Sequence, residues 1–110
     1  MLTICGKTIT ISKGDTFDVT FRLYGYSLLE TDIIIFTIKD KIHYPNELIE
    51  KKITGVSGEF IRVQITAEEM EVLTSGRHFY DLLCQSGDAV ITLCYPEQIF
   101  IKEVVHNGAQ

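Results

Sequence analysis

The sequence has no basic excess, no long apolar run and no leader-like N-terminus, and each absence excludes a class of protein. Its 110 residues carry a formal net charge of −5, and Lys51-Lys52 is the one basic pair. Without a positive stripe, we expect no nucleic-acid partner. No apolar run approaches the roughly 20 residues that span a bilayer. The opening segment MLTICGKTITISKGD lacks a basic region followed by a long apolar core, so we expect neither a signal peptide nor a membrane anchor.

Cysteine is scarce as well. Cys5, Cys84 and Cys94 are odd in number and widely spaced, which argues against a disulfide framework. If Ser86-Gly87 is a two-residue turn, Cys84 faces Ala89 and Cys94 lies on the opposite face of the hairpin, roughly 16 Å away along the ladder. A bridge between Cys84 and Cys94 is therefore not expected. We expect free thiols and a reducing compartment.

Catalytic and ligand-binding motifs are also missing. There is no G-x-S-x-G, no glycine-rich phosphate loop and no pair of histidines or cysteines at metal-ligand spacing. The strongest enzyme candidates, Glu69 and His78, have no partner that the sequence can locate. We therefore predict a protein that is not an enzyme and that has no catalytic residues, no cofactor and no metal site.

The pattern that is present is alternation at period two. Thr16–Leu23 places Phe17, Val19, Phe21 and Leu23 on one face and polar residues on the other. Similar segments recur at short intervals, and no connection is long enough for a βαβ crossover. The remaining predicted strands are 2–5, 7–12, 32–39, 48–54, 59–65, 79–84, a hairpin partner near 89–93 and 98–105. This spacing predicts an all-β protein, an antiparallel Greek-key sandwich of immunoglobulin-like outline.

One short helix interrupts the strands at Thr66–Leu73. Thr66 and Glu69 have capping-box spacing, in which each side chain bonds the other residue's backbone N–H. The neighbouring Glu68 and Glu71 fall in the same helix, where negative charge near the N-terminus is favourable. We interpret this acidic cluster as capping. Residues 1–106 are predicted to form a single domain and 107–110 a flexible C-terminal tail.

The predicted hairpin register also sorts side chains into a core and an outer face. The expected core combines one face of each strand: Phe17, Val19, Phe21, Ile34, Phe36, Ile38, Ile61, Val63, Ile65, Tyr80, Leu82, Cys84, Ala89, Ile91 and Leu93. The outer face is unexpectedly apolar, since an antiparallel sheet with solvent behind it should be polar there. Such patches mark partner surfaces, unless the helix or the tail covers them. The candidate interface residues are Ile33, Ile35, Phe79, Leu83 and Val90.

A second hypothesis uses aromatic residues in or near loops. Tyr24, Tyr26 and Tyr95 could stack on sugars, as in small carbohydrate-binding sandwiches. Loop tyrosines are also common packing residues, and the sequence leaves both interpretations open.

Three segments resemble small β-sandwich domains of tailed-phage and prophage virions. They are K-G-D-T-F-D-V-T-F-R-L at 13–23, I-I-I-F-T-I-K-D at 33–40, and L-T-S-G-R-H-F-Y-D-L at 73–82 with its S-G-D turn. The pattern is similar to the N-terminal domain of phage baseplate upper proteins. This resemblance implies a non-enzymatic role in virion or tail assembly through protein–protein contacts. Other virion or tail proteins would be the partners, with homo-oligomers also compatible, and the location would be the virion or the bacterial host cytoplasm.

Overall fold

A computed structural model describes residues 2–4, 7–43 and 46–104. This part of the chain is all-β with one short helix, α1, at Ala67–Met70. The strands are β1 (Leu2–Ile4), β2 (Ile9–Ser12), β3 (Phe17–Arg22), β4 (Ile33–Lys39), β5 (Ile49–Ile53), β6 (Phe60–Ile65), β7 (Gly76–Ser86) and β8 (Ala89–Lys102). β3 to β6 begin and end within one residue of their predicted bounds. The predicted tail, 107–110, lies outside the described residues.

The strands form two sheets. One sheet has the order β1-β3-β6 and the other β2-β8-β7-β4-β5. Most pairings are antiparallel, as predicted, but β1 runs parallel to β3 and β2 runs parallel to β8. The prediction of a wholly antiparallel arrangement is therefore wrong at the N-terminus. β1 and β2 lie in different sheets, and neither is joined to its partner by a tight turn, which is the connection that would require antiparallel pairing.

Four aromatic rings fill the space between the sheets. Phe36 on β4 lies with its ring centroid 5.4 Å from Phe17, 5.9 Å from Phe21 and 5.8 Å from Tyr80. Because Phe17 and Phe21 belong to the opposite sheet, these contacts join the two sheets through one core. Most of the predicted core is buried, with Val19, Ile91 and Leu93 partly buried against it. Ala89 is exposed, so its assignment to the core was wrong.

The register of the β7–β8 hairpin differs from the prediction. Ser86 pairs with Ala89, so the turn is Gly87-Asp88 and not Ser86-Gly87. Gly87 has a positive φ of 60°, and no non-glycine residue in the described chain has a positive φ. A two-residue turn with glycine at its first central position is of type II′, which suits the twist of a hairpin. Cys84 consequently faces Ile91 rather than Ala89.

β8 also contains two irregularities that invert the face of Cys94. Leu82 pairs with Cys94, Leu83 with Thr92 and Tyr80 with Glu97, so Leu93 and the Tyr95-Pro96 step each add a residue to β8. Proline lacks an N–H and favours such bulges. Cys94 is thereby turned into the core, where it is 2 % exposed. β8 continues through both irregularities as one strand, Ala89–Lys102, whereas two strands were predicted, near 89–93 and at 98–105.

The expectation of free thiols holds for one of the two described cysteines. Cys84 is a free, buried thiol, which agrees with the prediction that it does not bridge to Cys94. Cys94, however, is disulfide-bonded, and the expectation of a free thiol is wrong there. Cys5 lies outside the described residues.

The predicted capping box is confirmed. The Glu69 N–H donates to the Thr66 hydroxyl at 3.1 Å, and the Thr66 N–H donates to the Glu69 carboxylate at 3.1 Å. The same carboxylate receives the Lys51 ammonium of β5 at 2.7 Å. Met70 and Leu73 are buried in the core. The helix is therefore anchored in the core by Met70 and Leu73 and is joined to β5 by the Lys51–Glu69 ion pair.

Removing the cap gives a first test of this capping box. We expect Thr66→Ala to lower the free energy of unfolding by about 1 kcal/mol, because the Glu69 N–H loses its acceptor. Thr66→Ser keeps the hydroxyl and is the matched control, with an expected change of a few tenths of a kcal/mol. Urea denaturation of the three proteins measures the difference. Equal stability of the alanine and serine variants would show that the cap contributes nothing.

Candidate functional site

The outer face of the five-stranded sheet carries all five candidate interface residues. Ile33 and Ile35 lie on β4, Phe79 and Leu83 on β7, and Val90 on β8. Ile35 pairs directly with Leu83, while Gln85 lies between Ile33 and Val90. Four of the residues are thus neighbours across three adjacent strands. We refer to Ile33, Ile35, Leu83 and Val90 as the apolar patch.

Phe79 is separated from this patch. The intervening row pairs Thr37 with Asp81, and Phe79 itself lies between Lys39 and Gln98. The Arg77 guanidinium lies 5.4 Å from the centroid of the Phe79 ring, a cation–π arrangement that covers part of the ring. The structure therefore divides the predicted interface into a contiguous group of four residues and a fifth that lies in polar surroundings.

A shallow depression adjoins Phe79. It has a volume of about 40 Å³ and is lined by Thr37, Lys39, Ile42, Phe79, Tyr80, Asp81 and Pro96. A space of this size holds no more than a few water molecules. Burial raises the pKa of the Asp81 carboxyl above its ordinary range, and Lys39 acts in the opposite direction. The depression thus places a partly desolvated carboxylate at the border of the apolar patch.

The apolar patch is not covered by the helix. α1 directs Met70 into the core, and Leu73 just after it is also buried there. Val90 is 70 % exposed, whereas Ile33, Ile35 and Leu83 are half-buried by their neighbours in the sheet. The sequence left two segments that could cover the patch, the helix and the C-terminal tail. The burial of the helix side chains in the core excludes the helix, and the predicted tail lies outside the described residues.

The structure does not gather the three candidate tyrosines into one platform. Tyr24 is 62 % exposed and Tyr95 is 78 % exposed. The Arg22 guanidinium lies 5.0 Å from the centroid of the Tyr24 ring. Tyr26 is half-buried, and its hydroxyl donates to the Asp32 carboxylate at 3.2 Å. Among the described residues, no ring–ring contact involves any of the three.

A buried polar cluster around Asp32 was missed by sequence reasoning. Asp32 is 1 % exposed, and its carboxylate accepts from the Leu29 N–H at 3.0 Å as well as from Tyr26. These donors, the Leu29 N–H first and the Ser86 side chain next, lower the pKa of Asp32 below its ordinary value. Burial raises the pKa of the Cys84 thiol, which lies 3.8 Å from the Tyr26 hydroxyl. The carboxylate is therefore ionised and the thiol neutral, an arrangement that fixes the β3–β4 loop.

His78 is the second buried polar residue. It is 2 % exposed, with Nε2 lying 2.7 Å from the Thr74 carbonyl oxygen. Nδ1 lies 2.7 Å from an Asp40 carboxylate oxygen, although this contact lacks the geometry of a directed hydrogen bond. Asp40 is thus the partner that the sequence could not locate. The imidazole thus lies between Asp40 and Thr74. Because Nε2 is hydrogen-bonded to the Thr74 carbonyl oxygen and Nδ1 lies against Asp40, neither ring nitrogen is open to a substrate.

Glu69, the other enzyme candidate, is occupied by the capping box and by Lys51. These donors, Lys51 first, lower its pKa below the ordinary value, so the carboxylate is ionised and unsuited to act as an acid.

Within the described chain, no group of three or more His, Cys, Asp or Glu side chains is placed to hold a metal ion. No helix in the same part of the chain is long and apolar enough to cross a membrane.

Comparisons with known proteins show no family. No family model matches the chain. No curated protein matches it either. A solved structure titled "Solution Structure of Amebosin" is similar, with a TM-score of 0.41 and 16 % identity, covering 92 % of this chain and 96 % of that chain. A likeness at this level carries no argument about function.

Proposed function

We propose that the protein is a non-enzymatic structural or assembly module of a phage virion or tail, and that it acts through protein–protein contacts. The observation that carries the proposal is the apolar patch on the outer face of the five-stranded sheet. The sequence resemblance to virion β-sandwich domains supplies the class of partner, namely other virion or tail proteins. The proposed location is the virion or the cytoplasm of the bacterial host.

The composition of the patch supports a contact surface. Ile33, Ile35, Leu83 and Val90 lie next to one another, whereas most outer positions of β3 and β6 are polar, including Asp18 and Arg62, which pair at 2.7 Å. The two sheets thus differ in what they present to solvent. A contiguous apolar group bordered by polar residues is typical of the centre of a protein interface, since burial of apolar area favours association.

The finer fold assignment is part of the same proposal. We infer a Greek-key sandwich of immunoglobulin-like topology. Its support is the pairing of β3 with β6 and of β4 with β7, which are not consecutive in sequence, together with the division of the N-terminal strands between the two sheets. An experimentally determined structure tests this inference. A different strand order would contradict it.

The contact role is tested by Leu83→Asp. We expect this change to weaken binding to a virion partner by at least roughly 10-fold, because a carboxylate would be desolvated at the centre of the interface. Val72→Asp is the matched control, since Val72 is 55 % exposed and lies beside α1, away from the patch. Both variants should fold as the unmodified protein does, which circular dichroism verifies.

The binding partners to be tested are the products of the genes that flank the coding sequence. Each product is titrated with the unmodified protein and with both variants by isothermal titration calorimetry. The proposal expects capsid or tail genes among the neighbours, and at least one product whose binding is lost in Leu83→Asp and retained in Val72→Asp. Neighbours that encode glycoside hydrolases, or equal binding by both variants, would count against it.

A second candidate function is carbohydrate binding, favoured by the exposure of Tyr24 and Tyr95. Exposed tyrosine rings stack on the apolar faces of sugars. A glycan array separates the two hypotheses. Binding that is lost on Tyr24→Ala or Tyr95→Ala but unchanged by Leu83→Asp would favour the carbohydrate module, and an array without signal would remove it.

A further inference from the structure

The edge strand β5 has a sequence that is complementary to itself. It reads Ile-Glu-Lys-Lys-Ile from Ile49 to Ile53 and pairs only with β4 within the described chain. Glu50 pairs with Thr37 and Lys52 with Ile35, so both charged side chains lie on the outer face of the sheet, where they are exposed. Ile49 and Ile53 face the core. The free edge presents unpaired backbone groups, which are a template for another strand.

Pairing with a second copy is restricted by symmetry. Two identical edges related by a two-fold axis pair antiparallel, and residues that oppose each other must lie on the same face of the joined sheet. If the two-fold axis passes through Lys51, Glu50 of each copy faces Lys52 of the other copy. Ile49 of each copy likewise faces Ile53 of the other. An axis through Glu50 or Lys52 would instead oppose two like charges on the outer face. The register centred on Lys51 is therefore the one in which both outer pairs attract.

We propose that the protein forms a dimer in which the β5 strands of two copies pair antiparallel about Lys51. The one unfavourable pair in this register is Lys51 opposite its own symmetry mate. Each Lys51 ammonium, however, lies 2.7 Å from the Glu69 carboxylate of its own chain. This internal ion pair offsets the repulsion at the axis, since the positive charge of each Lys51 is neutralised before the edges meet.

The other edges with described side chains lack this complementarity. β6 carries one charged residue, Arg62, which already forms a two-point contact with Asp18 at 2.9 and 2.7 Å. β2 reads Ile-Thr-Ile-Ser and has no charged residue to fix a register. The proposal is thus specific to β5, and the occupant that fits it is a second copy of this chain.

The dimer would join two five-stranded sheets edge to edge. Ile35 is the direct neighbour of Lys52 across β4 and β5, so the two apolar patches would lie on the same surface, one on each side of the paired strands. A virion partner would then meet two equivalent patches at a fixed spacing. The dimer itself does not depend on the patch, and Leu83→Asp is expected to leave it intact.

Charge reversal at the two outer positions tests the register. In the Glu50→Lys variant, a lysine faces a lysine at both outer pairs of the dimer. In the Lys52→Glu variant, a glutamate faces a glutamate at both pairs. We expect each single variant to raise the dimer dissociation constant by at least roughly 10-fold, because two attractive cross-strand pairs become repulsive. The double variant Glu50→Lys/Lys52→Glu restores opposite charges and should recover the dimer. Sedimentation equilibrium over a range of protein concentrations measures all four proteins.

An equimolar mixture of the two single variants provides the sharpest result. Each variant alone repels itself, but the mixture opposes lysines to glutamates at both pairs and should form a heterodimer, which native mass spectrometry distinguishes from homodimers. Because both positions are exposed, circular dichroism should be unchanged in every variant. A monomeric unmodified protein at the highest soluble concentration, or single variants that dimerise as the unmodified protein does, would overturn the proposal.

Discussion

Replacing Phe36 by alanine is expected to lower the free energy of unfolding by about 3–5 kcal/mol, a large part of the roughly 5–15 kcal/mol that stabilises an ordinary domain. Phe36 has no exposed surface. Its ring lies within 6 Å of three other rings, at 5.4 Å from Phe17, 5.9 Å from Phe21 and 5.8 Å from Tyr80. Since two of these rings belong to the opposite sheet, the substitution leaves a cavity where the sheets meet. The surrounding aromatic rings cannot collapse into it without losing their own contacts.

Guanidinium denaturation measures the effect, with two variants for comparison. Phe36→Leu refills most of the volume and should cost clearly less than alanine. Thr37→Ala changes the next residue, which lies half-buried on the outer face, and should change stability by roughly 0.5 kcal/mol or less. If Phe36→Ala were no more destabilising than Thr37→Ala, Phe36 would not be at the centre of the core.

The success of the core prediction has a simple physical origin. In β3 and β6 apolar and polar residues alternate with little interruption, and burial of one face requires this period. The register Phe17 to Ile65, Val19 to Val63 and Phe21 to Ile61 then follows from matching the two apolar faces. The positions of β3 to β6 and most of the core could therefore be predicted from local pattern alone.

The hairpin register failed because it depends on one glycine and one proline. The prediction assigned Gly87 to the second central position of the turn. In the structure Gly87, with its positive φ, occupies the first central position. The consequences of Pro96 extend further, since the irregular Tyr95-Pro96 step and the extra Leu93 change which face Cys94 occupies. Alternation counted along β8 cannot detect added residues, because a bulge leaves the sequence looking regular while it inverts the face.

The candidate site was predicted in part for the same reason. Ile33, Ile35, Leu83 and Val90 do lie together, because β4 and β7 pair in register and the corrected turn leaves Val90 on the outer face. The separation of Phe79 from them depends on Asp81 and Arg77, whose placement requires the tertiary pairing. The burial of Asp32 and His78 was not predicted, since polar residues are buried only where particular partners exist, and the folded structure brings those partners together.

Asp32 provides the second large expected effect. Replacing it by alanine removes the acceptor of the Leu29 N–H and of the Tyr26 hydroxyl. Both donors are partly buried beside Asp32, which is itself 1 % exposed, and donors that lose their acceptor in such a place are costly. We expect the thermal midpoint to fall by roughly 10 °C. Glu30→Ala is the matched control, because it removes an exposed carboxylate from the same loop and should change the midpoint little.

The pH dependence of stability tests whether the charge of Asp32 is the source of this stability. Its pKa in the folded protein lies below the ordinary value of 3.8, chiefly because the Leu29 N–H stabilises the carboxylate. The unfolded state therefore takes up a proton at higher pH than the folded state does. The stabilisation is fully present above about pH 3.8 and is lost as the pH falls through the folded-state pKa.

Asp32→Asn separates this contribution from those of other carboxylates. Asp18 and Glu69 also have lowered pKa values, because Arg62 and Lys51 donate to them, so some acid destabilisation should remain in every variant. The amide keeps an oxygen acceptor but cannot titrate. We therefore expect the loss of stability between neutral pH and about pH 3 to be smaller in Asp32→Asn than in the unmodified protein. Parallel stability curves for the two proteins would show that Asp32 has the same pKa in the folded and unfolded states, and the interpretation of its cluster as a charged anchor of the β3–β4 loop would be wrong.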